Sequence, residues 1–107
     1  MKIIVNRFIP FPGYAAINIF GILFVHKGTI ITDRTINHEK IHTAQMRECL
    51  YVFFYLWYLV EWIIRLCKEK NCHEAYRKIS FEQEAYSNDQ QLNFMEYRRW
   101  YAFLEYL

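Results

Sequence analysis

Every proline and glycine in this chain falls within its first 28 residues. Pro10, Pro12, Gly13, Gly21 and Gly28 punctuate the start, and neither residue type recurs from Thr29 to Leu107. Proline removes a backbone donor and glycine loosens the chain, so a long stretch free of both suits uninterrupted helix. The boundary divides the sequence into a β unit, residues 1–28, and a helical part, residues 29–107. At 107 residues in all, the two parts are expected to share one domain.

Within the first part, Lys2 to Ile9 is rich in β-branched and apolar residues and reads as a strand, and Pro12-Gly13 reads as a turn. Tyr14 to Val25 is a second extended run, in which Gly21 suggests a bulge or a close backbone approach. Two strands alone are marginal and need helices to pack on. The expected fold is therefore α+β and mostly helical, a two-stranded N-terminal unit against three to four helices.

Thr32 or Thr35 can cap the first helix, with Asp33 favourable at its positive end. That helix carries His38 to Leu50. Continued straight from Thr35 to Cys67 it would be about 50 Å long, more than so small a domain spans, so a bend is expected near Glu48 to Tyr51. A short helix fits His73 to Lys78. Ser80 with Gln83 three residues on fits a capping box opening a third helix, Glu82 to about Asn88. A last helix is expected from about Asp89 to Tyr106.

Apolar residues make up 54% of the chain, which excludes disorder, and a net charge of +2 gives no reason to expect a nucleic-acid partner. Cys49, Cys67 and Cys72, odd in number and irregular in spacing, do not form a disulfide framework, and a reducing, cytoplasmic location is expected. The start of the chain has no leader pattern and is expected to be unprocessed. The run 50–66, LYVFFYLWYLVEWIIRL, is apolar almost all round. Its length is at the short edge of a membrane span, and Glu61 and Arg65 inside it can pair at i, i+4. Three readings compete: a central buried helix, a helix in a membrane interface or homodimer seam, and a true span. The second would make the protein membrane-associated.

Residues 38–42, His-Glu-Lys-Ile-His, match H-E-x-x-H. Histidines four apart lie on one helical face and can turn both imidazoles to a single metal ion. Glu39, about 100° round from His38, reaches a metal-bound water rather than the metal, as a general base must. Zinc is the expected ion, since it lowers the pKa of a bound water while a carboxylate takes the proton. A shuffled chain with four His and nine Glu would contain the pattern roughly once in a hundred, so chance alone does not account for it easily. A third ligand is available in Glu82, if its helix packs antiparallel on the first. Gln45 and Met46 share the histidine face and would line the site.

H-E-x-x-H followed on a later helix by E-x-x-A, here Glu82 to Ala85, resembles the gluzincin metallopeptidases. The chain also resembles short bacterial proteins of this type from GYAAINIFG through HEKIHTAQ to FEQEAY. The resemblance implies a minimal zincin-like domain with His38, His42 and Glu82 as zinc ligands and Glu39 as general base. In that family an Asp that hydrogen-bonds a ligand histidine commonly ends the second motif; here Tyr86 stands there. Glu84, about 200° round from its neighbour ligand, should point away. Tyr76 is the first choice for stabilising an oxyanion, with His73, Arg77 and Tyr86 behind it, and the run Ala15 to Gly21 could offer a strand edge to a peptide or protein substrate. The expected function is zinc-dependent hydrolysis of peptide bonds. The competing reading is a non-catalytic zinc-containing module that binds a protein partner or a membrane surface.

Overall fold

The computed structural model describes residues 2–7 and 16–107. The expected Pro12-Gly13 turn lies outside the described residues. The fold is α+β and mostly helical, as expected, but the sheet has three strands rather than two: β1 (Lys2–Asn6), β2 (Ala16–Ile19) and β3 (Ile22–His26), in the order β1-β3-β2. The run read as one strand is a hairpin. Phe20 and Gly21 take positive φ of 51° and 87°, the combination that a two-residue turn of matching twist requires, so Gly21 is a turn residue and not a bulge. β2 then pairs antiparallel with β3, with Ile19 opposite Ile22, and β1 pairs parallel to β3, with Lys2 opposite Ile22. This leaves β2 at the sheet edge among the described strands.

Five α-helices follow: α1 (Asp33–Glu48), α2 (Val52–Glu69), α3 (Cys72–Lys78), α4 (Ser80–Asn88) and α5 (Phe94–Tyr97), then a 3₁₀ turn (Ala102–Tyr106). Thr32 caps α1, its side-chain oxygen accepting the Thr35 N–H at 3.2 Å. The expected bend falls between Glu48 and Val52 and turns the chain by 108°. It is made without glycine. Leu50 and Tyr51 both take positive φ, and the Tyr51 N–H reaches back to the Met46 carbonyl while the Leu50 N–H reaches Arg47, a Schellman closure. Phe20 braces the corner: its ring lies 5.3 Å from that of Tyr55 and 6.0 Å from that of Tyr51, and its N–H donates to the Tyr55 hydroxyl at 2.9 Å.

The expected Ser80–Gln83 capping box is not made. Glu61 of α2 takes its place: one carboxylate oxygen accepts the Ser80 N–H and the other the Ser80 hydroxyl, both at 2.7 Å. The carboxylate meets the positive end of α4, so a residue from another helix does the work of a local cap. Its contact with Arg65, four residues on, is looser at 4.0 Å. The last segment is not one helix either. Arg98 is extended and Tyr101 left-handed, because Arg98 is drawn inward to bridge Glu48 and Glu84.

The core is aromatic. Phe81 lies 4.5 Å from Phe54, 4.6 Å from Phe103 and 5.9 Å from Trp57, ring centre to ring centre, and Met46, Cys49 and Ile79 complete the cluster. The reading of 50–66 as a central buried helix is overturned. Within α2 only Phe54 and Glu61 are buried, and Val52, Phe53, Leu56, Leu59, Val60, Ile63 and Ile64 are exposed. Among the described residues too few elements remain to cover the far side of α2, since the expected long last helix is broken and packs on α4. No single described helix is long and apolar enough to cross a membrane.

Glu61→Ala should strip α4 of its cap and leave two buried donors of Ser80 unpaired. The expected cost is about 2–4 kcal/mol in urea unfolding. With Ser80→Ala already in place the same change should cost clearly less, because the hydroxyl donor is then gone.

Candidate metal centre

α1 turns one stripe to the interior: Asn37, His38, Ile41, His42, Gln45 and Met46 are all buried. α4 lies across that stripe and delivers Glu82, which is 4% exposed, to the histidine pair. His42 Nε2 stands 3.1 Å from His38 Nε2 and 3.1 Å from Glu82 Oε1, and His38 Nε2 stands 3.3 Å from the same oxygen. Three donors around a tetrahedral ion with bonds of about 2.0–2.1 Å would be about 3.3 Å apart, so the triangle has the size that a small cation needs. His38, His42 and Glu82 are the group among the described residues able to hold a metal ion.

The remaining atom of each ligand is also held, and this decides which atoms face the centre. His38 Nδ1 donates to Asp89 Oδ2 at 2.9 Å, and the other Asp89 oxygen accepts from Arg34 Nε at 2.8 Å. His42 Nδ1 donates to Gln45 Oε1 at 2.8 Å. The Gln45 amide cannot be reversed, because its nitrogen donates to the Phe81 carbonyl and to Glu84 Oε1, both at 3.0 Å. Glu84 and Glu48 in turn clamp Arg98, which donates to both at 2.6–3.0 Å. Glu82 Oε2 accepts from the Tyr58 hydroxyl at 2.7 Å, leaving Oε1 for the centre. With both Nδ1 atoms protonated, each neutral imidazole points a lone pair inward beside a carboxylate oxygen.

Three electron-rich atoms so close together require a positive charge among them. In the metal-free protein a proton supplies it. Burial would lower the His42 pKa, but the Glu82 charge and hydrogen bond, the Glu39 charge and the Gln45 contact together push it up to about 9. Glu82 answers in kind: burial would raise it, and the histidines hold it well below the usual carboxylate range. Tyr58 and Tyr76 stay neutral phenols, raised first by burial and then by the Glu82 charge.

The donors sit at the wall of a cavity of about 300 Å³. Glu39 and Met46 line it from α1, Phe54, Tyr55 and Tyr58 from α2, Tyr76 from α3, and Ala16 to Ile19 of β2 from the sheet. Glu39 is half-buried there, and its carboxylate makes no hydrogen bond to a described residue; its backbone carbonyl accepts from Asn18 Nδ2 at 3.0 Å, which ties β2 to α1 beside the centre.

His38, His42, Glu39, Glu82 and Tyr76 are thus brought to one cavity. The Tyr76 hydroxyl lies 2.8 Å from that of Tyr86, whose ring packs edge-on against His38 at 4.5 Å. Tyr86 therefore does not accept from an imidazole N–H. His73 and Arg77 are outside the cavity lining, His73 exposed at the start of α3 and Arg77 stacked over the outer face of Tyr86 at 3.7 Å. Glu84 points away from the centre, as expected. Cys67 and Cys72 are free, exposed thiols. Two residues escaped sequence reasoning, Asp89 and Tyr58. Asp89 follows Glu82 by two helical turns and so shares its face, a spacing that could have revealed it.

Comparison with protein-family models, with curated proteins and with solved structures finds no match to this chain.

The titration of His42 has two consequences of opposite sign. Its folded pKa is raised from 6.5 to about 9, so its pairing with Glu82 stabilises the metal-free protein fully below pH 6.5 and is lost as pH rises through 9. Glu82 is depressed from 4.5, so its share is present above 4.5 and is lost in acid. Urea unfolding in chelator should therefore show a stability maximum between pH 4.5 and 6.5. Metal affinity should instead climb about tenfold per pH unit toward pH 9, because the ion must displace that proton. Asp89→Asn should weaken metal binding about 10- to 100-fold in competition with a chromophoric chelator, the ordinary cost of losing a ligand's carboxylate partner.

Proposed function

We propose that this chain is a zinc-dependent metallopeptidase of gluzincin-like type that hydrolyses peptide bonds. The observation that carries the reading is the triangle of His38 Nε2, His42 Nε2 and Glu82 Oε1, with edges of 3.1–3.3 Å, set in a cavity that Glu39 also enters. A His, His, Glu set with an open fourth position suits zinc as a catalytic ion. Zinc held there would supply Lewis-acid activation of a water molecule.

The remaining roles fall to the chain. Glu39 takes a proton from the attacking water and passes it to the departing amine, so one peptide bond and one water become a carboxylate and an amine. Its freedom from hydrogen bonds to described side chains suits a group that must gain and lose a proton. Tyr76, a neutral phenol across the cavity, donates to the oxygen that gains charge as the amide is attacked. The Tyr58–Glu82 hydrogen bond keeps the second ligand oxygen away from the centre. The edge of β2 pairs with a substrate backbone running past the donors.

Metal content decides the first step. Protein purified without added metal should carry close to one zinc per chain, and His42→Ala should carry almost none. Glu39→Gln should keep the metal and the melting temperature while losing hydrolysis of a peptide library by about 10²-fold or more. Activity that survives in Glu39→Gln would remove Glu39 from the mechanism. Wild-type protein that holds zinc but cleaves nothing would favour a binding module.

A further inference from the structure

We propose that the outward face of α2 docks on the surface of a lipid bilayer. The exposed side chains Val52, Phe53, Leu56, Leu59, Val60, Ile63 and Ile64 are all apolar. At 100° per residue they occupy one arc about 140° wide, and the one other α2 side chain inside it is the exposed thiol of Cys67. Each is 48–66% exposed, and together they form a contiguous apolar patch of the kind that marks an interaction or membrane surface.

The inner side of the helix is aromatic and carries its mid-helix polar groups, with Phe54, Trp57 and Trp62 on the core, Tyr58 donating to Glu82 and Glu61 accepting from Ser80, while its aliphatic groups face outward. A helix surrounded by water on that side would be patterned the other way.

The occupant follows from what borders the arc. A paired-helix seam is narrower, and charged residues flank it and set the pairing. Here the flanks are Trp57 on one side and Tyr55 and Trp62 on the other, half-buried rings of the kind that settle at headgroup level. α2 has no charged residue before the buried Glu61. Exposed charges stand at the two ends instead, Arg47 on α1 before the corner and Lys68, Glu69 and Lys70 at the close of α2, a small net positive charge that favours anionic headgroups. With its apolar residues exposed on one side and Glu61 buried on the other, α2 lies in the plane of the interface. The metal centre is then held beside the bilayer, because Tyr58 on the inner side of the same helix touches Glu82.

Flotation with vesicles of phosphatidylcholine and phosphatidylglycerol tests this. Wild-type protein should float, with a blue shift of tryptophan emission, and should float less with phosphatidylcholine alone. Leu56→Glu combined with Ile63→Glu, both exposed positions, should cut the floating fraction by about tenfold or more while melting temperature and zinc content stay unchanged. Wild-type protein that stays at the bottom of the gradient overturns the proposal, and so does a double variant that floats like wild type. A dimer in sedimentation that the double substitution dissociates, without vesicle binding, would assign the face to a second copy. None of these outcomes bears on the metal site, whose own assays are separate.

Discussion

Two imidazole nitrogens and a carboxylate oxygen held within 3.3 Å of one another are mutually repulsive until a cation stands among them. The fold is arranged to keep them there regardless. His38 cannot turn away without leaving Asp89, His42 cannot turn without leaving Gln45, and Glu82 cannot swing without leaving Tyr58. Each restraint fixes an orientation by satisfying the atom that faces away from the centre. Rigid first contacts of this kind favour binding, because little ordering remains to be done when the ion arrives.

Those restraints reach far into the chain. Gln45 is oriented by Glu84, which shares Arg98 with Glu48, and Glu48 also accepts the Tyr101 N–H at 2.8 Å. The segment after α5 is therefore extended at Arg98 because the guanidinium is anchored at the far end of α1. In the same way the sharp corner at Leu50 and Tyr51 does more than shorten a long helix. It turns α2 back across α4, so that Glu61 caps α4 and Tyr58 meets Glu82 three helical turns from that corner at most. The left-handed backbone at Leu50 and Tyr51 costs on the order of 1–3 kcal/mol per residue, offset by the aromatic packing of Phe20 and Tyr55 at the corner.

What could be read from the sequence was what local chemistry determines. Helical spacing put His38 and His42 on one face, Thr32 or Thr35 beside Asp33 marked the start of α1, and length alone demanded the bend. The misreadings share a cause: a partner distant in sequence displaced a local rule. Ser80 and Gln83 look like a capping box, yet Glu61 of another helix takes the donors. Asp89 was read as the start of a last helix, yet it stands as the C-cap of α4 and serves His38, fifty-one positions earlier. Phe20 at positive φ hides a hairpin, because the usual Asn-Gly or Gly-Gly signal is absent. The apolar run of α2 reads as core until the other described elements are in place and prove too few to cover it.

The charge balance of the interior bears on the centre as well. Glu48, Glu61, Glu82, Glu84 and Asp89 are all buried, whereas Arg98 is the one guanidinium buried to the same degree among the described residues. Arg34 reaches Asp89 from the surface, half exposed, and Arg65 stands 4.0 Å from Glu61. Arg98 is shared by two carboxylates, so the surroundings of the histidines carry excess negative charge even with every guanidinium in place. In so small a domain this charge is poorly screened and would disfavour folding if nothing offset it. A proton on His42 offsets one charge, and a divalent ion at the same point offsets two while releasing that proton. The polar interior and the candidate cation site therefore depend on each other: the carboxylates that position His38, His42 and Glu82 also create the potential that would hold a metal ion.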